Sequence, residues 1–131
     1  MNAKVILPRG WPRPKGYANG AVAQGPTLFI AGMIGWDAQG QFHSDDFAAQ
    51  ARQALTNLAE VLREAGGVPE NIVRMTWYVT DKREYLAAAK EIGQAFREII
   101  GAYNAAMTAV EVKSLMEDRA KVEIEATAVL P

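Results

Sequence analysis

From Val122 to Leu130 every second residue is apolar: Val122, Ile124, Ala126, Ala128 and Leu130. Between them stand Glu123, Glu125 and Thr127. A period of two is the mark of a strand that buries one face and leaves the other uncovered. The preceding stretch, Ala105 to Val112, alternates in the same way and carries Glu111. The chain therefore closes with two strands whose acid-bearing face borders water, a partner subunit or a ligand.

Strands of this kind need helices over their apolar face, and the sequence supplies two. Ser44 is placed to cap the first, with Asp45 and Asp46 in a first turn where the helix dipole favours negative charge. Phe47, Ala51, Ala54, Leu58, Leu62 and Ala65 form its apolar stripe, Gly66-Gly67 ends it, and Pro69 prevents a restart. The second helix has Asp81 as its cap, a stripe of Tyr85, Ala89, Ile92, Phe96 and Ile99, and Gly101 at its end. Between the two, Asn71 to Thr80 alternates. Val73, Met75, Trp77 and Val79 share one side; Arg74, Thr76, Tyr78 and Thr80 share the other.

Earlier in the chain, Tyr17 to Gln24 reads as a weak strand. Gly25-Pro26 turns it into Thr27-Leu28-Phe29-Ile30-Ala31, which suits a central strand. Residues 1–15, with Pro8, Pro12 and Pro14, read as an irregular or extended arm. The expected order is β-β-helix-β-helix-β-β, one α+β domain over residues 1–131 with both helices on one face of a mixed sheet. The other face, with Thr76, Tyr78, Glu123, Glu125 and Thr127, is expected to pack against copies of the same chain.

Composition narrows the chemistry. There is no cysteine, which removes disulfides, thiolate nucleophiles and finger-type zinc sites. With a single histidine, His43, no metal site is expected, and His43 reads as a surface residue. Ser44 adjoins His43 in sequence, which is not the spatial pairing a triad needs. The net charge of −1 argues against a sequence-independent grip on nucleic acid. No stretch approaches the ~20 apolar residues that span a bilayer, and the arm lacks the apolar run of a signal peptide, so a cytoplasmic protein without membrane contact is expected. The spacing of Gly32, Gly35 and Gly40 matches no phosphate-binding loop, and no cofactor is expected. What remains is carboxylate chemistry. Glu111, Glu123 and Glu125 can act as a general base or orient a water if burial tunes them, or can simply pair with Lys113, Lys121 or Arg119.

Five segments in order carry a resemblance to a known family: Leu28 to Ile34, Gln50 to Leu58, Ile72 to Asp81, Thr108 to Val112, and Val122 to Val129. Each is modest alone. Together, across residues 17 to 130, they resemble the YjgF/RidA family. That resemblance implies a chorismate-mutase-like fold, a homotrimer, and ligand clefts between subunits. The best-known members hydrolyse enamines and imines to ketoacids and ammonia, using an arginine that holds the substrate carboxylate; some members carry the label endoribonuclease.

The family's Pro-Ala-Arg-Ser/Thr motif falls here on Ala105-Ala106-Met107-Thr108, so Met107 occupies the arginine position. A thioether cannot replace a bidentate guanidinium–carboxylate contact, a difference on the order of 2–5 kcal/mol of binding. Ala31, Met33 and Ala89 likewise stand where the family often has Ser, Gln and Asn. The resemblance assigns catalytic roles to Glu123, which would position water, and Thr108. It assigns ligand contacts to Tyr17, Gly32, Met33, Tyr85 and Met107. The expected activity is hydrolysis of an imine, enamine or related small metabolite in an apolar cleft. The alternative is a non-catalytic, small-molecule-binding trimer of sensor or chaperone-like type.

Overall fold

The computed structural model describes residues 3–101 and 104–131. Along the described residues the elements are β1 (Ala3–Ile6), β2 (Gly20–Ala23), β3 (Thr27–Ile34), α1 (Phe47–Glu64), β4 (Ile72–Val79), α2 (Lys82–Ala87), α3 (Ala89–Ile99), β5 (Ala106–Glu111) and β6 (Val122–Val129). A 3₁₀ turn, Pro69–Asn71, leads into β4. The main sheet has the order β3-β6-β4-β5. The last strand in sequence is thus internal, antiparallel to both β3 and β4, while β5 runs parallel to β4. The parallel pair is joined by the α2–α3 crossover, as parallel neighbours require.

β6 realises the alternation of its sequence. Val122, Ile124 and Ala128 have no exposed surface, and Glu123, Glu125 and Thr127 are half-buried on the opposite face. Onto the buried face pack Ala51, Ala54, Leu55 and Leu58 of α1, with Ile92 and Phe96 of α3, Met75 and Trp77 of β4, in one hydrophobic cluster. The mixed α+β architecture with helices on one side is the one expected from the sequence.

Four local features differ from expectation. Helix α1 is capped by Asp46, whose carboxylate accepts the Ala49 N–H at 3.0 Å, while Ser44 Oγ accepts the Asp46 N–H one turn earlier. Phe47, the first core residue of the stripe, sets where the helix starts, so the cap falls on the residue before it. The second helix is two, broken at Ala88 (φ −93°, ψ 9°). The break lets α2 hold Tyr85 against Trp77 and Phe47 while α3 turns Ile92 and Phe96 into the core. In β4 the pairing steps from Ile72–Ala128 to Arg74–Thr127, so Val73 is an extra residue and Ile72 takes the core position. In the arm, Ala3–Ile6 pairs antiparallel with β2, and residues 7–15 alone are irregular; Met1 and Asn2 lie outside the described residues.

Polar groups on α1 fasten the helix to the sheet. Gln50 is 1 % exposed; its Nε2 donates to the carbonyls of Ser44 and Arg119, each at 3.0 Å, and its Oε1 accepts the Lys121 N–H at 2.8 Å. Every hydrogen-bonding site on the amide nitrogen is used. Two turns later Asn57 Nδ2 donates to the carbonyls of Ile34 and Trp36 at 3.0 and 2.8 Å, fixing the exit of β3. Gly35 makes this possible, since a Cβ there would lie 2.7 Å from Gln50 Cα.

Replacing Gln50 by Ala strands one N–H and two carbonyls and is expected to cost about 2–4 kcal/mol in urea unfolding. A loss below about 1 kcal/mol would show that water takes over the amide's bonds.

Candidate functional site

The residues singled out in the sequence gather in two places on the chain. The first is a cavity of about 400 Å³ at the outer edge of β5, walled by Tyr17, Trp77, Tyr85, Met107, Thr108 and Ala109, with Lys15 and Gly16 at the same site. Its parts arrive by separate routes. The Ala18 N–H donates to Ala105 O at 2.9 Å, and Ala18 bridges to Ala106, which sets Tyr17 beside the start of β5. Tyr85 comes from α2, where the Asp81 carboxylate caps the first turn by accepting the Arg83 N–H at 2.8 Å. Its ring meets Trp77 and Phe47 edge to face, both at 6.1 Å. Burial raises the phenol pKa of Tyr85 above its ordinary value. Met107 pairs with the fully buried Met75, so its side chain lies on the helix-covered side of the sheet.

The second place is on the open face. Glu123 sits between Ile34 of β3 and Tyr78 of β4. The β3 ladder is irregular between Ile30 and Met33, and there Gly32 comes directly under the Glu123 side chain. A Cβ on Gly32 would fall 2.7 Å from Glu123 Cδ and 2.8 Å from its Cγ, so the carboxylate can take this position only over glycine. Next along β6, Glu125 accepts a hydrogen bond from Tyr78 Oη at 3.2 Å, and this bond raises the pKa of Tyr78. A second cavity of about 400 Å³ opens on this face, lined by Phe29, Ala31, Arg74, Thr76, Glu125 and Thr127. Phe29 is 78 % exposed here.

Tyr17, Tyr85 and Met107 thus come together, and so do Gly32 and Glu123, but the two groups do not meet; Thr108, at the cavity rim, pairs with Thr76 and so lies on the open face with Glu125 and Glu123, across β4 from them. Glu123 faces the open side and Met107 the helix side, with β4 between their strands. Met33 pairs with Ile124 and packs on the core, and it lines neither cavity. Lys15, Gly16 and Ala109 were not signalled by the sequence. Lys15 sits in the irregular arm, where no periodicity marks it. Trp77 was legible only as an apolar position of β4.

Other candidates stand apart. His43 Nε2 lies 2.6 Å from Asp37 Oδ2 on the surface, 71 % exposed. Asp37 is held below the usual carboxylate range by the Gln41 N–H and then by His43. Glu111 accepts the Lys82 N–H at 2.7 Å, a structural contact at the entrance to α2. Among the described residues no three His, Asp or Glu side chains come together as metal ligands, and no helix is long and apolar enough to cross a membrane.

Comparison with known proteins shows the family and the fold. The family described as Endoribonuclease L-PSP matches residues 12–130. The chain belongs to that family, the YjgF/RidA group. It is 39 % identical to a RutC family protein of Synechocystis, over all of this chain and 99 % of the relative. It is 32 % identical to the 2-iminobutanoate/2-iminopropanoate deaminase of Bos taurus, over 96 % of this chain and 89 % of that protein. Among solved structures it is similar to the Rid-family protein YyfB of Yersinia pestis, with a TM-score of 0.87 and 36 % identity over 99 % of this chain and 100 % of that one.

The Gly32–Glu123 contact makes a distinction that can be measured. Gly32→Ala presses on a movable side chain and is expected to cost under about 2 kcal/mol while displacing the carboxylate. Gly35→Ala presses on the backbone of α1 and is expected to cost about 3 kcal/mol or more. Equal losses in urea unfolding would contradict the difference in what each glycine touches.

Proposed function

We propose that the chain is a Rid-type hydrolase of imines or enamines whose site is completed by a neighbouring copy in a homotrimer. The observation that carries this reading is the division of the site residues: Glu123 over Gly32 on the open face, and the Tyr17–Tyr85–Met107 cavity across β4 at the β5 edge, with Thr108 at its rim. A heterologous contact between copies, closed by rotation, joins one half to the other at each interface. The exposed Phe29 and the exposed edge of β5 from Thr108 to Glu111 supply surface for that contact.

In such a cleft the Glu123 carboxylate accepts a proton from water as the water oxygen bonds to the imine carbon. That proton passes from Glu123 to the imine nitrogen to give the carbinolamine; the carbinolamine hydroxyl then yields its proton, through Glu123, to the amine nitrogen as the C=O bond forms and the C–N bond breaks, leaving ammonia and a carbonyl compound. Thr108 and the backbone at Gly32 hold the substrate in place. With Met107 where the family has arginine, the cavity wall is thioether and aromatic, and the substrate class is apolar, held without an essential carboxylate.

The second reading is a trimer that binds a small molecule and releases it unchanged. Met107 favours it, because a thioether stands where the family grips a carboxylate, and the Lys15 that also lines the cavity comes from the irregular arm.

The assay is ammonia and carbonyl release from freshly generated 2-aminoacrylate and, in parallel, from carboxylate-free imines. Turnover of the neutral imines, lowered by about 10²–10⁴-fold in Glu123→Gln, is the expected result. Turnover unchanged by Glu123→Gln contradicts the hydrolase reading. Binding without turnover by the native chain selects the second. Met107→Arg is expected to shift preference towards 2-aminoacrylate, read as kcat/KM for the two substrate types.

A further inference from the structure

All 15 acidic residues of the chain lie at Asp37 or beyond, whereas Lys4, Arg9, Arg13 and Lys15 stand before it. The N-terminal arm is therefore purely basic on a chain of net charge −1. All four of these cations are exposed, and none forms an ion pair among the described residues. Within the arm the Trp11 N–H donates to Pro8 O at 3.1 Å, closing a turn with Gly10 in the left-handed region (φ 85°). The turn sets Trp11 next to Arg9 and leaves it 58 % exposed. Trp and Arg are the residue types that most often carry the binding energy of protein interfaces. β1 adds a second feature. It pairs with β2 on one side, and no strand of the described residues pairs with its other edge, which can therefore take a further strand. Val5, Ile6 and Leu7 are each exposed there, beside a notch of about 40 Å³ that Arg13, Pro14 and Asn19 also wall.

We propose that the arm is the docking site of an acidic, extended segment of a partner polypeptide. The segment adds as a strand to the free edge of β1, its carboxylates pair with Arg9 and Arg13, and Trp11 supplies the apolar anchor. In this mode of recognition main-chain hydrogen bonds give affinity and alternate side chains give specificity. Guanidinium groups suit carboxylates because the two match in a bidentate, charge-assisted contact. A nucleic acid satisfies the charge and not the edge. Its phosphodiester backbone offers acceptors only, whereas a strand edge presents N–H and C=O groups in turn. A long polyanion would also run past the arm onto the part of the chain where every acid is gathered. The proposal is independent of the hydrolase reading, since Arg9, Trp11 and Arg13 line neither the β5-edge cavity nor the open-face cavity. Lys15, which lines the β5-edge cavity, is not part of the clamp.

The test uses the full-length chain at neutral pH and about 50 mM salt, where exposed charges are only partly screened. The probe is a fluorescein-labelled octapeptide of alternating Glu and Val. An octapeptide of alternating Gln and Val and a single-stranded oligothymidylate of equal charge serve as comparisons. Anisotropy gives the affinities, and hydrogen exchange follows the amides of residues 3–7. The expected result is that the acidic peptide binds about 10-fold more tightly than either comparison and slows exchange over residues 3–7. Arg9→Gln combined with Arg13→Gln weakens its binding by about 10–100-fold, and Trp11→Ala by about 5–50-fold. Exchange in the native chain reads the β1 edge without any variant. An acidic peptide that does not bind, or that binds as tightly to the chain carrying Arg9→Gln and Arg13→Gln, overturns the proposal. Unchanged exchange over residues 3–7 overturns it as well, and tighter binding of the oligothymidylate overturns it in favour of nucleic acid.

Discussion

The register of β6 between β3 and β4 is the constraint on which the rest of the structure depends. It sends Val122, Ile124, Ala126 and Ala128 beneath the helices and leaves Glu123 and Glu125 on the open face. A slip of one residue would bury the carboxylates and expose the core set, so the register is held by the whole cost of that exchange. The entry of the strand is fixed as well. Lys121 donates its N–H to the buried Gln50, and the same amide binds the carbonyl of Arg119, so the loop before β6 is tied to the first turn of α1. Glu123 begins two residues beyond that tie, which places a side chain of chemical interest on one of the better-supported parts of the backbone.

On the far side of β4 the arrangement is different in kind. The cavity by β5 is assembled from an irregular segment, a short helix and an edge strand, and much of its wall is aromatic or thioether. Elements of that sort adjust more readily than an internal strand. One part of the proposed site is therefore a carboxylate fixed over glycine, and the other is an apolar recess able to adapt to a ligand. Because the sheet separates them, chemistry that needs both depends on association between chains.

Much of the fold was legible because burial alternates cleanly in β6 and recurs at helical spacing in α1 and α3. What was hidden has physical reasons. The break at Ala88 involves neither Gly nor Pro, so nothing local announces it; the packing of Tyr85 on Trp77 and Phe47 requires it. The bulge at Val73 exchanges one β-branched residue for another, Ile72, and alternation cannot tell which enters the core. The cap moved from Ser44 to Asp46 because three capable residues stand in a row and tertiary packing of Phe47 chooses among them. For the site, Gly32 and Glu123 come from distant parts of the sequence and lie together on the open face, away from Tyr17, Tyr85 and Met107. Met33, adjacent to Gly32 in sequence, faces the core because the β3 irregularity turns it there. Lys15 belongs to three-dimensional arrangement alone.

The central claim is that two copies of the chain complete one site, and the absence of native cysteine allows a direct measurement. A variant carrying both Glu123→Cys and Met107→Cys is treated with a short bis-thiosulfonate spacer and separated under non-reducing denaturing conditions. The account predicts covalent dimers and trimers, since the two thiols lie on opposite faces within a chain and meet only between chains, with neither single variant forming trimers. A product that is monomeric throughout, with both thiols modified, would contradict it.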